Sequence, residues 1–270
     1  MLLETLFLLI SIFLATLGSF TFWPVNGWID IYRPLVLFIA TYLGCMVLTW
    51  TIYEISTLYV KKDKVYDKPS RLSRFVFNTS LSYIKWHALI KLKIKGLHNV
   101  PKTERFLLVC NHRSNFDSMI ISVVLRKQYL AFISKPSLFK IPIGGKHMRK
   151  LCYLSINRDD NLQSLQVMKK AEEYIENDST SIGVFPEGTR QQDKVIGDFH
   201  EGVFNIAIKT KCPVVICSIK GTDNVHANFP LKRTPCELNF VETLRYEDYA
   251  ELNAKQLSEL ARNKIIQSLY

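Results

Sequence analysis

Apolar and polar positions fall into three regimes along the chain. Residues 1–22 carry one charge, Glu4, and residues 34–53 carry none. As helices these stretches would each be about 30 Å long, roughly the hydrocarbon thickness of a bilayer, which makes both candidate membrane spans. Residues 61–95 follow with basic residues threaded among aromatics in RLSRFVFNTSLSYIKWHALIKLKIKG, the pattern of an amphipathic helix lying on a surface. From about residue 96 short apolar runs alternate with amphipathic stretches. These are FLLVC at 106–110, a helix from Ser118, YLAFIS at 129–134, LCYLSI at 151–156, a helix near 161–176, SIGVF at 181–185, a helix near 200–210, PVVICSI at 213–219 and CELNF at 236–240. The alternation predicts an α/β domain whose mixed, largely buried sheet is flanked by helices. Leu162, Leu165, Met168, Ala171 and Ile175 space out as the apolar stripe of a helix packed on one side, and AELNAKQLSELARNKIIQSL predicts a closing amphipathic helix. The expected organisation is a two-helix membrane hairpin over 1–60, a basic interfacial segment over 61–95 and the α/β domain over 96–270.

Charge refines the first two regimes. A cleaved leader would need a basic start, whereas this chain offers Glu4 and a second apolar segment soon after the first. WPVNGWIDIYR between the segments holds one Arg and one Asp, while KKDK follows the second, so the positive-inside rule places both ends of the hairpin, and the domain after it, on the cytoplasmic side. Trp23, Trp28 and Tyr32 in the linker suit an interfacial aromatic belt. The net charge of +11 is concentrated: residues 61–95 hold ten Lys and Arg against Asp63 and Asp67. A basic run directly after a spanning segment points to an anionic membrane surface. No helix-turn-helix, RNA-recognition or zinc-finger spacing accompanies it, which argues against nucleic acid. The six cysteines form no C-x-x-C pair and have no histidine at metal spacing, so free thiols, mostly buried, are expected and no metal site.

Two junctions carry the chemistry. NHRSNFD, 111–117, joins the FLLVC strand to the following helix, with His112 and Asp117 five apart. On a strand an odd step turns the two side chains to opposite faces, and on a helix they would lie about 140° apart, so only a turn lets them meet. Brought together, they are a base and its orienter: the carboxylate fixes the imidazole tautomer, and the other ring nitrogen can take a proton from a hydroxyl. By itself the pair reads more readily as a packed imidazole and a helix N-cap. SIGVFPEGTR, 181–190, is a strand cut off by Pro186 and followed by Glu187, Gly188, Thr189 and Arg190 on a loop. Arg190 can fork onto a phosphate, and Gly188 lets backbone approach a ligand. Alone, this loop is as readily a turn with a local ion pair. Cys110 and Ser114 are possible nucleophiles by type, but a buried strand thiol and a turn hydroxyl account for them.

N-H-x-x-x-x-D followed some seventy residues later by F-P-E-G-T-R resembles the glycerolipid acyltransferases, in particular the 1-acyl-glycerol-3-phosphate acyltransferases. The resemblance covers roughly residues 85–245. SKPSLFKIPIGGK at 134–146 is similar to the family's second block, with Lys135, Pro142 and Gly145 in place, and SINR supplies Arg158. FHEGVFNIAIKTKCPVVICSI is similar to the later blocks, except that Ile216 stands where the family usually has a second proline, three residues after Pro213. The resemblance implies a glycerolipid acyltransferase-like fold. It implies that His112, oriented by Asp117, takes the proton from the free hydroxyl of a lysophospholipid as that hydroxyl attacks an acyl thioester, with no acyl-enzyme. It implies further that Arg158, Arg190 and Lys135 grip the acceptor phosphate, and that Glu187, Gly188 and Thr189 belong to the acceptor-site loop. The expected reaction moves a fatty acyl group from acyl-CoA or acyl-ACP to 1-acyl-glycerol-3-phosphate, giving phosphatidate, with no cofactor beyond the co-substrate. Another lysophospholipid or a lyso-aminolipid could be the acceptor. Two readings from other classes are a metal-dependent phosphoesterase and a noncatalytic lipid-binding protein.

Overall fold

The computed structural model describes residues 2–25, 27, 30, 32–61, 64–189 and 195–270, and the chain divides into two compact units, 1–59 and 60–270. Trp28 of the expected aromatic belt and Arg190 of the expected phosphate grip lie outside the described residues.

The first unit is a helical hairpin of α1 (Leu2–Thr21) and α2 (Tyr32–Ile55). Phe7 meets Tyr42 edge-on, with ring centroids 6.3 Å apart, while Gly18 faces Leu37, so the helices run antiparallel. At the turn Arg33 pairs with Asp30 at 2.8 Å and lies over the Trp23 ring, which leaves the linker's two opposite charges matched to each other. Leu9, Phe13 and Phe20 on α1 and Leu35, Leu43, Val47 and Ile52 on α2 are exposed. An apolar surface of that extent suits lipid. Two spans of equal standing were expected. Among the described residues α2 alone is long and apolar enough to cross a bilayer; the apolar run of α1, Thr5–Thr21, is shorter.

In the second unit, α3 (Arg71–His87) leads into β1 (Ile90–Lys95), β2 (Leu107–Cys110), α4 (Phe116–Val124), β3 (Leu130–Ser134), α5 (Gly144–Lys150), β4 (Leu154–Ser155), α6 (Asn161–Glu176) and β5 (Ser181–Val184). The chain continues through α7 (Asn205–Thr210), β6 (Val214–Lys220), α8 (Val225–Asn228), β7 (Thr234–Leu244), α9 (Tyr246–Tyr249) and α10 (Ala254–Leu269). The seven strands form one mixed sheet in the order β1-β7-β6-β2-β5-β3-β4. β6, β2, β5, β3 and β4 are mutually parallel; β7 runs antiparallel to β6, and β1 parallel to β7. The carboxyl ends of five strands and the starts of β7 and β1 therefore share one edge of the sheet. β2, at the centre, is completely buried from Leu107 to Cys110, as strands covered on both faces are.

Three local differences from the pattern reading have physical causes. Residues 71–95 are not one amphipathic helix: it ends at His87, and IKLKIK pairs along β7 from Ile90↔Thr234 to Lys95↔Asn239. The period of two in that hexapeptide sets Ile90 and Leu92 toward the core and the lysines outward, the composition of an edge strand. On α6 the buried face is Val167, Ala171, Tyr174 and Ile175, whereas Leu162 and Leu165 are exposed. Ala171 and Ile175 of the expected stripe are buried and Met168 packs partly against the core, while Val167 and Tyr174 complete the face in place of the two leucines. At the proline departure Ile216 is fully buried, and the β6–β7 ladder shifts register between Ile216 and Cys217. The irregularity that would tolerate a proline is present with isoleucine in its place.

Candidate active site

The loops at the carboxyl ends of the parallel strands carry the predicted residues. His112 follows β2, Lys135 follows β3, Arg158 follows β4 and Glu187 follows β5, where ligands of open α/β sheets gather.

β2 leaves the sheet at Asn111, whose side chain replaces the backbone there: Ile219 N–H donates to Asn111 Oδ1 at 2.8 Å, and Asn111 Nδ2 donates to the Ile219 carbonyl at 2.9 Å. The β2–β6 ladder is thereby extended by one rung just before His112. The turn then brings His112 Nδ1 to 2.9 Å from Asp117 Oδ2. The same oxygen accepts the backbone N–H of Arg113 at 2.6 Å and of Ser114 at 2.7 Å, and Oδ1 accepts the Thr222 hydroxyl at 2.5 Å. Asp117 is fully buried, while the His112 side chain keeps 20% of its surface exposed. A carboxylate only accepts, so Nδ1 carries the hydrogen and the Nε2 lone pair is left for a substrate proton. The imidazole stacks on Phe185, with centroids 4.3 Å apart, and Phe185 stacks on Phe132. Gly183 makes room for Phe132: a Cβ at that position would lie 2.5 Å from its ring.

Glu187 sits beneath this pair. Its Oε1 accepts the His112 backbone N–H at 2.7 Å, and its Oε2 accepts the Gly197 N–H at 3.1 Å. Burial raises its carboxyl pKa above the usual value, and those two N–H groups oppose the rise. The Gly197 segment is held in turn by Arg262 of α10, whose Nε and Nη2 each donate at 2.9 Å, to the Gly197 and Ile196 carbonyls. Gly188 has φ +73, and a Cβ there would come within 2.9 Å of both Arg158 Nη1 and His200 Nε2. Arg158 Nη1 donates to the Gly188 carbonyl, and burial lowers the guanidinium pKa from its usual value. Thr189 and Lys135 are exposed. In the second block Gly145 fits because a side chain would enter the Phe139 backbone, 2.3 Å from its carbonyl oxygen.

The structure thus joins His112, Asp117 and Glu187 directly and attaches Arg158 through Gly188. Thr222, Gly197 and Arg262 are positioning residues that spacing did not single out, since each acts through backbone or across the sheet, and Asn111 entered only as the first residue of the motif, without a role. Thr222 had one available signal, its place just past the end of β6 on the ligand edge. Cys110 is fully buried with its thiol pKa pushed well up by burial, unsuited to nucleophilic attack. Ser114 serves the turn, its carbonyl accepting the Asp117 N–H at 3.0 Å. Among the described residues no three His, Cys, Asp or Glu side chains converge as metal ligands.

Residues 91–220 match the family model described as Acyltransferase. The chain is 32% identical over 191 residues to the chloroplastic 1-acyl-sn-glycerol-3-phosphate acyltransferase BAT2 of Brassica napus, covering 69% of this chain and 53% of that protein. It is 23% identical over 204 residues to a 1-acyl-sn-glycerol-3-phosphate acyltransferase of Borreliella burgdorferi, covering 74% and 80% respectively. Against the plant and algal relatives that it matches, the chain spans about half their length or less, from 39% to 56%. The crystal structure of the 1-acyl-sn-glycerophosphate acyltransferase PlsC from Thermotoga maritima superposes with a TM-score of 0.59 at 20% identity, over 98% of this chain and 96% of that one, which establishes a common fold.

Proposed function

We propose that this chain, whose residues 91–220 match the Acyltransferase family model, transfers a fatty acyl group from a thioester donor to the free hydroxyl of 1-acyl-glycerol-3-phosphate, forming phosphatidate for phospholipid synthesis. The observation that carries this reading is the His112–Asp117 pair at 2.9 Å, buried on the carboxylate side and open on the imidazole side.

In the reaction His112 Nε2 takes the acceptor hydroxyl proton as the oxygen attacks the thioester carbonyl. The new C–O bond forms, the C–S bond breaks, and the imidazolium returns its proton to the departing thiolate. Asp117 stabilises the imidazolium through that cycle. Arg158 after β4 and Lys135 after β3 supply cations for the acceptor phosphate, and the family resemblance adds Arg190 to them. The exposed apolar hairpin holds the enzyme at the membrane where its acceptor resides, and the KKDK run after α2 supports a domain on the cytoplasmic side.

The test is thiol release from a long-chain acyl thioester by the purified full chain, with and without lysophosphatidate. Release that requires the acceptor, and that His112→Ala abolishes in a folded protein, is the expected result. Wild-type turnover by His112→Ala would overturn the assignment of the base. Equal turnover of an acceptor lacking the phosphate monoester would overturn the headgroup.

A further inference from the structure

Gly188, the residue after Glu187, is approached from two separate parts of the chain. Arg158 comes from the loop between β4 and α6, and His200 from the segment ahead of α7. A Cβ on Gly188 would lie 2.9 Å from Arg158 Nη1 and 2.9 Å from His200 Nε2, so the two nitrogens converge on one face of the glycine and stand no further apart than twice that distance. Backbone ties set the imidazole there: His200 N–H donates to the Pro186 carbonyl at 2.9 Å, and Gly197 N–H donates to Glu187 Oε2 at 3.1 Å. His200 is exposed, and its ring forms no hydrogen bond with any described residue. Arg158 uses one guanidinium N–H on the Gly188 carbonyl and pairs with no carboxylate among the described residues. Both oxygens of Glu187 accept backbone N–H groups, and Asp198 lies 3.7 Å from Arg262, so neither acid is paired with Arg158 or His200.

We propose that His200 is a specificity-determining residue: with Arg158 it holds the phosphate of the acceptor beside Gly188 and makes the enzyme select monoester over diester lysophospholipids. The inference rests on the acyl-transfer reading above. A guanidinium presents its N–H donors in a planar fork, and an imidazole presents a single directed N–H; coming from two directions, they reach different oxygens of one phosphate. A monoester carries a charge of about −1.5 to −2 at neutral pH and three terminal oxygens, enough to serve both groups at once. In a diester one of those oxygens bears a substituent and one charge is gone. The glycine takes part in the selection, because its φ of +73 suits a residue without a side chain, and a side chain would fill the space on which the two donors converge. Glu187, the preceding residue, holds the His112 backbone, so the headgroup grip and the base are fixed to one loop.

His200→Phe keeps a ring against Gly188 and removes its N–H, whereas His200→Lys gives up the ring and keeps a cation. At an exposed position both should fold, which thermal melts check. The full-length wild type and the two variants are to be assayed for thiol release with lysophosphatidate and with lysophosphatidylglycerol of the same acyl chain. The expected result is that His200→Phe raises KM for lysophosphatidate about tenfold with kcat unchanged, narrowing the monoester preference by the same factor, and that His200→Lys restores it. An unchanged preference in His200→Phe would overturn the proposal. An equal loss in His200→Lys would overturn it too, by showing that the ring acts only through its packing on Gly188. Carbethoxylation by diethyl pyrocarbonate, mapped by mass spectrometry, reads the site without turnover: saturating glycerol 3-phosphate is expected to protect His200, and glycerol is not. Protection without turnover of lysophosphatidate would fault the acceptor reading and leave the phosphate site standing. Turnover of lysophosphatidate with His200 unprotected would fault His200 alone.

Discussion

Replacing Asp117 by asparagine removes one charge from the most densely bonded carboxylate of the domain while keeping its shape. In the wild type one oxygen serves His112 Nδ1, Arg113 N–H and Ser114 N–H, and the other serves Thr222. An asparagine oxygen can keep the first three donors if its amide nitrogen turns to Thr222, whose hydroxyl then accepts instead of donating. The fold should survive. What is lost is the attraction between carboxylate and imidazolium, which at a charge separation of about 4 Å and an effective dielectric near 20 is about 4 kcal/mol. The amide dipole recovers part of this, leaving about 3 kcal/mol, or roughly a hundredfold in kcat. Single-turnover thiol release by Asp117→Asn measures it directly. Because the two side chains act as a unit, His112→Ala/Asp117→Asn should lose no more than His112→Ala alone. A kcat within about threefold of wild type, or a loss expressed wholly in KM, would refute the orienting role.

Thr222→Val strips the hydroxyl from a buried carboxylate oxygen and should cost about 1–3 kcal/mol of stability, while Thr222→Ser retains it; thermal melts of the pair separate the hydrogen bond from the packing. Asn111→Leu removes both bonds to the Ile219 backbone and should lower the urea midpoint by the equivalent of about 2–4 kcal/mol, an unchanged midpoint counting against the extra rung. Glu187 titrates higher folded than unfolded because it is buried, so the folded state binds its proton more tightly. Its contribution is fully present below the unfolded value near 4.5 and is lost as pH rises through the raised folded value. Stability of wild type relative to Glu187→Gln should therefore fall across that window; a flat difference would contradict the burial of the carboxyl.

The apolar strands of the centre were legible because burial on both faces leaves an unbroken run, as in FLLVC and PVVICSI. β1 was not, since lysine at every second position reads as readily along an amphipathic helix as along an edge strand, and only its register with β7 decides. On α6 the later part of the expected stripe, Ala171 and Ile175, is buried, whereas Leu162 and Leu165 in its first turns are exposed, a choice made by what packs on them. The His112–Asp117 pair could be foreseen because both partners sit in one turn, and any sequence that brings them together must bend there. Glu187 was placed on the right loop, yet the job of its carboxylate, holding the His112 backbone 75 residues away, depends on β2 and β5 lying side by side. No local spacing encodes that adjacency. The same holds for Thr222 and for Arg262.

Arg262 ties the loop behind His112 to a helix 65 residues further along the chain. The base, its acid and the EGT loop all leave the ribosome well before the guanidinium that fixes Ile196 and Gly197, and through them Glu187. A nascent chain not yet extended through α10 would hold His112, Asp117 and Glu187 and lack the brace behind the His112 backbone. On the proposed reading, transfer would then wait until α10 has been made and docked.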